Sequence, residues 1–153
     1  MIENVEQAIR DYLPDIVHMS LATSKDNKPW VCEVHFAYDD DLNLYFRSLT
    51  SRRHSQEIAG NPNVAGNIVT QHGLTEVPRG VYFEGTAEQL ESVTEQDVAF
   101  LCIKDRFSKT TDILEEAKDP AGHQFYKITV DTYYMFDARE SKPGQKYELA
   151  WNK

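Results

Sequence analysis

The feature that most constrains this chain is a change of period near its start. Ile2, Val5, Ile9 and Leu13 recur at helical spacing and Pro14 stops them, which predicts an amphipathic helix over 2–13. From Val17 the period becomes two. Val17, Met19 and Leu21 alternate with His18, Ser20 and Ala22 and run into the polar turn KDNK. Next, Trp30, Cys32, Val34, Phe36 and Tyr38 share one face, with Val31, Glu33, His35 and Asp39 on the other. After the turn Asp39-Asp40-Asp41, Leu42, Leu44 and Phe46 continue a core face while Asn43, Tyr45 and Arg47 point away from it. Three consecutive strands joined by short turns predict an antiparallel meander.

The rest of the chain keeps to this pattern. A short helix stopped at Gly60-Asn61-Pro62 precedes a strand over 64–70 and a longer one from about Arg79 to Leu90, in which Gly85 suggests a bulge or close approach. Thr94 is a good N-cap for a helix from Glu95 to about Phe107, and TDILEEAK (111–118) supplies a second helical piece. Tyr126, Ile128, Val130, Tyr134 and Phe136 then alternate in a long strand, and Tyr147, Leu149 and Trp151 in a last one. Seven strands, a leading helix and a helical insertion before the sixth strand predict an α+β fold dominated by antiparallel β. Closure into a small barrel is the economical way to remove exposed edges. At 153 residues one domain, 1–153, is expected.

Net charge is −9, which argues against nucleic acid or an anionic membrane as a partner. No apolar run reaches the roughly 20 residues of a membrane span, and the acidic N-terminus lacks the pattern of a signal peptide, so a cytoplasmic location is expected. Cys32 and Cys102 form no CxxC, and the five histidines show no metal-ligand spacing, so no metal is expected.

Against this acidic background one cationic knot stands out: Arg47, Ser48, Thr50, Ser51, Arg52, Arg53, His54 and Ser55, at the junction of a strand and a helix. Arginine bonds phosphate oxygens in bidentate fashion, hydroxyls donate, and the first turn of a helix offers free N–H groups. Two readings follow from the residues: an anion site, or surface arginines paired with some of the 25 carboxylates. Cations at a helix N-terminus are locally unfavourable, and a bound anion would resolve that conflict. Glu33 and His35 either line a groove or face solvent. Nothing has the pattern of a nucleophilic triad, a Walker loop or paired carboxylates, so chemistry would have to come from a cofactor.

In order and spacing, MSLATSKDNKPWVCEVHFAYDDDLNLYFRSLTSRRHSQEIAGNPNVAGNIV resembles the FMN-binding split-barrel superfamily of pyridoxamine 5′-phosphate oxidase. The shared elements are the strand ending in F-x-S/T, the S-R-R loop, the N-P-x-V step and the glycine-containing strand RGVYFEGTAEQLE. Arg53 to Gln56, Arg106-Phe107 and GQKYELAW resemble a small bacterial branch of it. The resemblance implies FMN at a homodimer interface and an oxidoreductase acting on a small molecule or reduced nicotinamide. The alternative is a non-catalytic flavin- or haem-binding module on the same scaffold. It assigns Ser51, Arg52, Arg53 and His54 to the phosphate, Phe46, Arg47 and Ser48 to the ribityl chain and ring, and Cys32, Glu33 and Val34 to the strand beside the isoalloxazine. Trp151 would approach from the partner subunit. Two departures argue against vitamin B6 oxidation. The family's strand-2 arginine and lysine positions hold Val31 and Phe36, and KYELAWNK lacks the R-x-H substrate element.

Overall fold

The structure is a computed structural model that describes residues 2–139 and 144–151. It contains α1 (Val5–Tyr12), β1 (His18–Lys25), β2 (Lys28–His35), β3 (Ala37–Tyr38), β4 (Leu44–Leu49), α2 (Arg53–Gly60), β5 (Asn63–Ile68), β6 (Arg79–Leu90), α3 (Val98–Phe107), α4 (Asp112–Ala117), β7 (His123–Asp137) and β8 (Tyr147–Ala150). Asn4 caps α1 by accepting from the Gln7 amide at 3.0 Å, and Pro14 sits in a 3-10 turn over Leu13–Asp15 that follows the helix.

The described strands form one antiparallel sheet in the order β2-β1-β5-β6-β7-β4-β3, with β8 also on β7. The expected meander is broken. β1 and β2 pair, β3 and β4 pair, and no ladder joins the two hairpins. The break falls after Phe36: its amide still donates to Val17 O at 3.3 Å in the β1–β2 register and its ring is fully buried, whereas Ala37 and Tyr38 pair with β4. That change of partner makes eight strands of the expected seven. The sheet curls so that β2 returns beside β4 without bonding to it, leaving a split barrel rather than a closed one.

β7 explains the rest of the topology. One edge pairs along β6, and the other is divided between β4, over His123–Ile128, and β8, over Thr132–Met135. Between these halves the register slips at Glu84/Gly85, so that Gly85 faces Val130 and Glu84 faces Thr132. Asp131 is the extra residue of the bulge. It inverts the parity of β7: Tyr126, Ile128 and Val130 are buried before it, Tyr133 and Met135 after it. The alternation expected through Tyr134 and Phe136 therefore fails, and both lie on the opposite face.

Two apolar cores result. The first, inside the curl, joins α1 to the sheet through Ile9, Leu13, Leu21, Phe46, Phe83, Tyr126 and Tyr133. The second packs α3 and α4 on the outer face through Tyr45, Phe100, Ile103, Leu114 and Phe125. Tyr45 points away from the first core, as its parity requires, but into the second, and its hydroxyl donates to Asp39 at 2.8 Å. The helix expected from Glu95 begins only at Val98. Asp97 holds the N-cap position and accepts from the Thr94 amide and hydroxyl at 2.6 and 2.9 Å, which ties residues 94–97 into a turn.

Candidate functional site

Where β2 and β4 part, the gap is a cleft of about 630 Å³, within the range of small-molecule sites. β2 contributes Trp30, Cys32, Glu33, Val34 and His35, and β4 contributes residues 45–49. The start of α2 brings Arg52, Arg53 and His54, α3 and the residues after it bring Ile103, Phe107 and Lys109, and β7 opens with His123. One acidic side chain, Glu33, meets four Arg or Lys in this lining, a local reversal of the chain's net charge.

The N-terminus of α2 forms one end. Arg52 occupies the N-cap position and no side chain caps the helix, so the amides of its first turn are unmatched by any side-chain acceptor. Arg52 is exposed, and its side chain makes no hydrogen bond or ion pair among the described residues. Arg53 is anchored instead. Its guanidinium lies 4.3 Å from the centre of the Trp30 ring, and its Nε donates at 2.8 Å to Glu57. Glu57 is only 5% exposed and also accepts from Thr23 at 2.9 Å. The Arg53 bond, foremost, holds its carboxyl below the usual range. Of the two readings of the knot, ion pairing thus describes Arg53, while Arg52 keeps its charge open to the cleft.

His54 is buried behind this end, and its Nε2 and Ser48 Oγ are hydrogen-bonded at 2.7 Å. Burial, then the charge of Arg52, pushes its pKa down from 6.5, so the folded protein holds it neutral. The unfolded chain therefore binds more protons as the pH falls below about 6.5, and stability must decline in that direction. Chemical-denaturation midpoints at pH 7.5 and 5.5 are expected to drop for the wild type and to drop less for His54→Gln. Glu57, with its folded pKa depressed, adds a second decline below about 4.5.

At the other end of β2, the His35 ring stacks on Phe107 at 5.3 Å between centroids and lies 4.7 Å from His18. Burial, with His18 and Lys109 adding, lowers the His35 pKa. His35 stands five positions after Trp30, roughly 16 Å away at about 3.3 Å per strand residue. Between the ends, Cys32 and Val34 pack partly on the first core, and burial raises the Cys32 pKa. In the opposite wall Arg47 lies 5.6 Å from the centre of the Phe125 ring and bonds Glu116 at 2.5 Å, while its Nε is buried without a partner among the described residues.

Nine of the eleven residues that the resemblance assigns to the cofactor line this cleft: Cys32, Glu33, Val34, Phe46, Arg47, Ser48, Arg52, Arg53 and His54. Ser51 lies in the exposed turn beside it. Trp151 lies elsewhere in the chain, donating its indole N–H to Asp41 O beneath Arg10. Glu33 and His35 line the groove rather than only facing solvent, and Glu33 accepts from Ser20 Oγ. Trp30, expected in the core, is 41% exposed because Arg53, not the core, covers it. Lys109 and His123 were not legible as lining residues, since the helical insertion and β7 reach the cleft only through tertiary packing. The Arg53–Glu57 pair had a signal, the i,i+4 spacing.

A curled antiparallel sheet with an unladdered, cationic seam defines a split-barrel protein with a ligand-sized cleft. The sequence profile described as pyridoxamine 5′-phosphate oxidase matches residues 5–137, and the chain belongs to that family. No curated protein matches. Solved structures share the fold at low identity. A conserved hypothetical protein of Mycobacterium tuberculosis is 18% identical with a TM-score of 0.71, over 90% of this chain and 87% of that one. An FAD-binding protein of Mesorhizobium loti is 23% identical with a TM-score of 0.67, over 85% and 90%. The haem storage protein HutZ of Vibrio cholerae is 14% identical with a TM-score of 0.64, over 83% and 90%. No helix among the described residues is long and apolar enough to cross a membrane.

Proposed function

We propose that this protein is an FMN-dependent oxidoreductase that holds the flavin in the β2–β4 cleft as a homodimer and acts on a small organic molecule or reduced nicotinamide. The observation that carries the reading is the coincidence of an uncapped helix N-terminus and an Arg52 side chain unpaired among the described residues with one end of a long, partly aromatic cleft. The residues fit the group. Arg52, Arg53 and the α2 amides would hold the phosphate, and Arg47, which lines the cleft, would meet an oxygen of the ligand. The β2 backbone would run along the ring, and His35, Phe107 and Lys109 would border the space left for the donor. Bound FMN supplies hydride and electron acceptance. The chain's own part is to bind, orient and exclude water. Trp151 would enter from the partner subunit.

Oxidation of pyridoxamine phosphate is not proposed. Val31 offers no charge, and Phe36 is locked in the core where it cannot reach a ligand. A haem-binding role is the second reading, favoured by the His35 imidazole at the cleft edge and by the haem storage protein among the fold relatives. Visible spectra of the purified protein, before and after titration with FMN and separately with hemin, decide between them. The expected result is a bound flavin spectrum saturating at one FMN per chain, reducible by NADH or NADPH. Saturation by hemin alone would overturn the flavin reading, and flavin binding without reduction would leave only the binding role.

A further inference from the structure

We propose that Arg47 and His123 form a second oxyanion subsite in the cleft wall, and that the carboxylate of Glu116 fills it as a resident counter-ion until a ligand phosphate displaces it. This rests on the reading that the cleft takes a phosphorylated ligand, and it assigns that ligand a competitor built into the protein.

Arg47 and His123 both line the cleft, whereas Glu116 reaches them from α4. Its two oxygens are divided between them. Oε2 lies 2.5 Å from Arg47 Nη2, and Oε1 lies 2.5 Å from His123 Nδ1 and 3.3 Å from the His123 amide. This is the donor set an incoming oxyanion would use: a guanidinium, an imidazole N–H and a backbone N–H. The His123 bond, then Arg47, pulls the Glu116 pKa down to about 2, so the counter-ion stays charged at any working pH.

Arg47 is left half-used. Its side chain is only 15% exposed and its Nε is buried with no acceptor. A buried, incompletely satisfied guanidinium contributes little to stability, and an apolar residue could serve the fold as well. An oxyanion arriving through the cleft would take the Nη2 donor that Glu116 now holds. Glu116 is free to leave, since at 42% exposure it has solvent to swing into.

The position fits a phosphate. Leu49 pairs with His123 across the β4–β7 ladder, and Thr50 Oγ1 donates to Pro120 O at 3.3 Å. The cluster therefore sits beside the turn that carries Arg52. A fixed carboxylate there opposes any anion at the start of α2.

The test is Glu116→Gln, which keeps size and removes charge. At low salt it is expected to tighten binding of inorganic phosphate by calorimetry, and of FMN by absorbance titration, about tenfold each. Glu116→Gln with Arg47→Gln is expected to lose that gain. In the wild type, phosphate should shift the His123 ring resonances as Nδ1 exchanges partners. Affinities that stay within twofold or fall in Glu116→Gln, or a His123 ring unmoved by saturating phosphate, would overturn the proposal. Should FMN bind neither protein while the phosphate gain persists, the flavin reading fails and the subsite stands. Should FMN bind both equally, the reverse holds.

Discussion

Arg52→Ala is expected to weaken FMN binding about 30-fold and to leave folding stability unchanged. Arg52 is exposed and unpaired among the described residues, so its removal orphans nothing in the fold. A charge-assisted contact to phosphate contributes about 2 kcal/mol, which is roughly 30-fold in affinity. Arg52→Lys should recover only part of this, because the ammonium cannot reproduce the bidentate fork. Arg53→Ala is the less informative variant. It would leave the buried Glu57 carboxylate without its cation and Trp30 uncovered, so affinity and stability would fall together. Paired FMN titrations and urea denaturation of the two alanine variants separate a ligand contact from a structural one.

Gly85→Ala is expected to destabilise the fold by about 3 kcal/mol or more, a large share of the stability of an ordinary domain. A Cβ at Gly85 would lie 2.2 Å from Thr129 O and 2.9 Å from Val130 Cα, and both obstacles are backbone. Relief would require β6 and β7 to separate at the bulge that lets β7 serve β4 with one half and β8 with the other. Because β4 is a wall of the cleft, ligand affinity should fall as well. Gly60→Ala is the contrast. Nothing lies within 4 Å of that position at the end of α2, so the change should be neutral or slightly stabilising. The shift of the urea midpoint, with its slope held fixed, measures both.

What could be read in the sequence follows from which interactions are local. β6 runs from Arg79 to Leu90 as its alternation and flanking residues indicate, and the Gly85 irregularity is where a strand-interior glycine places it. The strand–turn–helix carrying Arg52 is likewise a local pattern. Phe36 shows the limit. By parity it continues β2 on the core face, yet the next residues, Ala37 and Tyr38, leave β1 and pair with β4, and the unbroken alternation through Tyr38 carries no mark of that change. Asp131 is another such case: Gly85 marks the irregularity on β6, but nothing in β7 itself marks Asp131 as the extra residue that inverts the later side chains of that strand. The site divides the same way. Residues of β2, β4 and α2 are legible because they are near one another in the chain or in a familiar motif. Lys109 and His123 enter the cleft only because α3 and α4 fold over the outer face of the sheet. No spacing encodes that.

The central claim is that the start of α2 holds a phosphate while the rest of the cleft holds the group attached to it. The dissociation constants of FMN and riboflavin, measured side by side by fluorescence titration on the same preparation, test it most directly. FMN is expected to bind about 100-fold more tightly, with a gap that narrows as salt is raised and that Arg52→Ala largely removes while leaving riboflavin affinity unchanged. Equal affinities for the two flavins, or a gap untouched by Arg52→Ala, would contradict it.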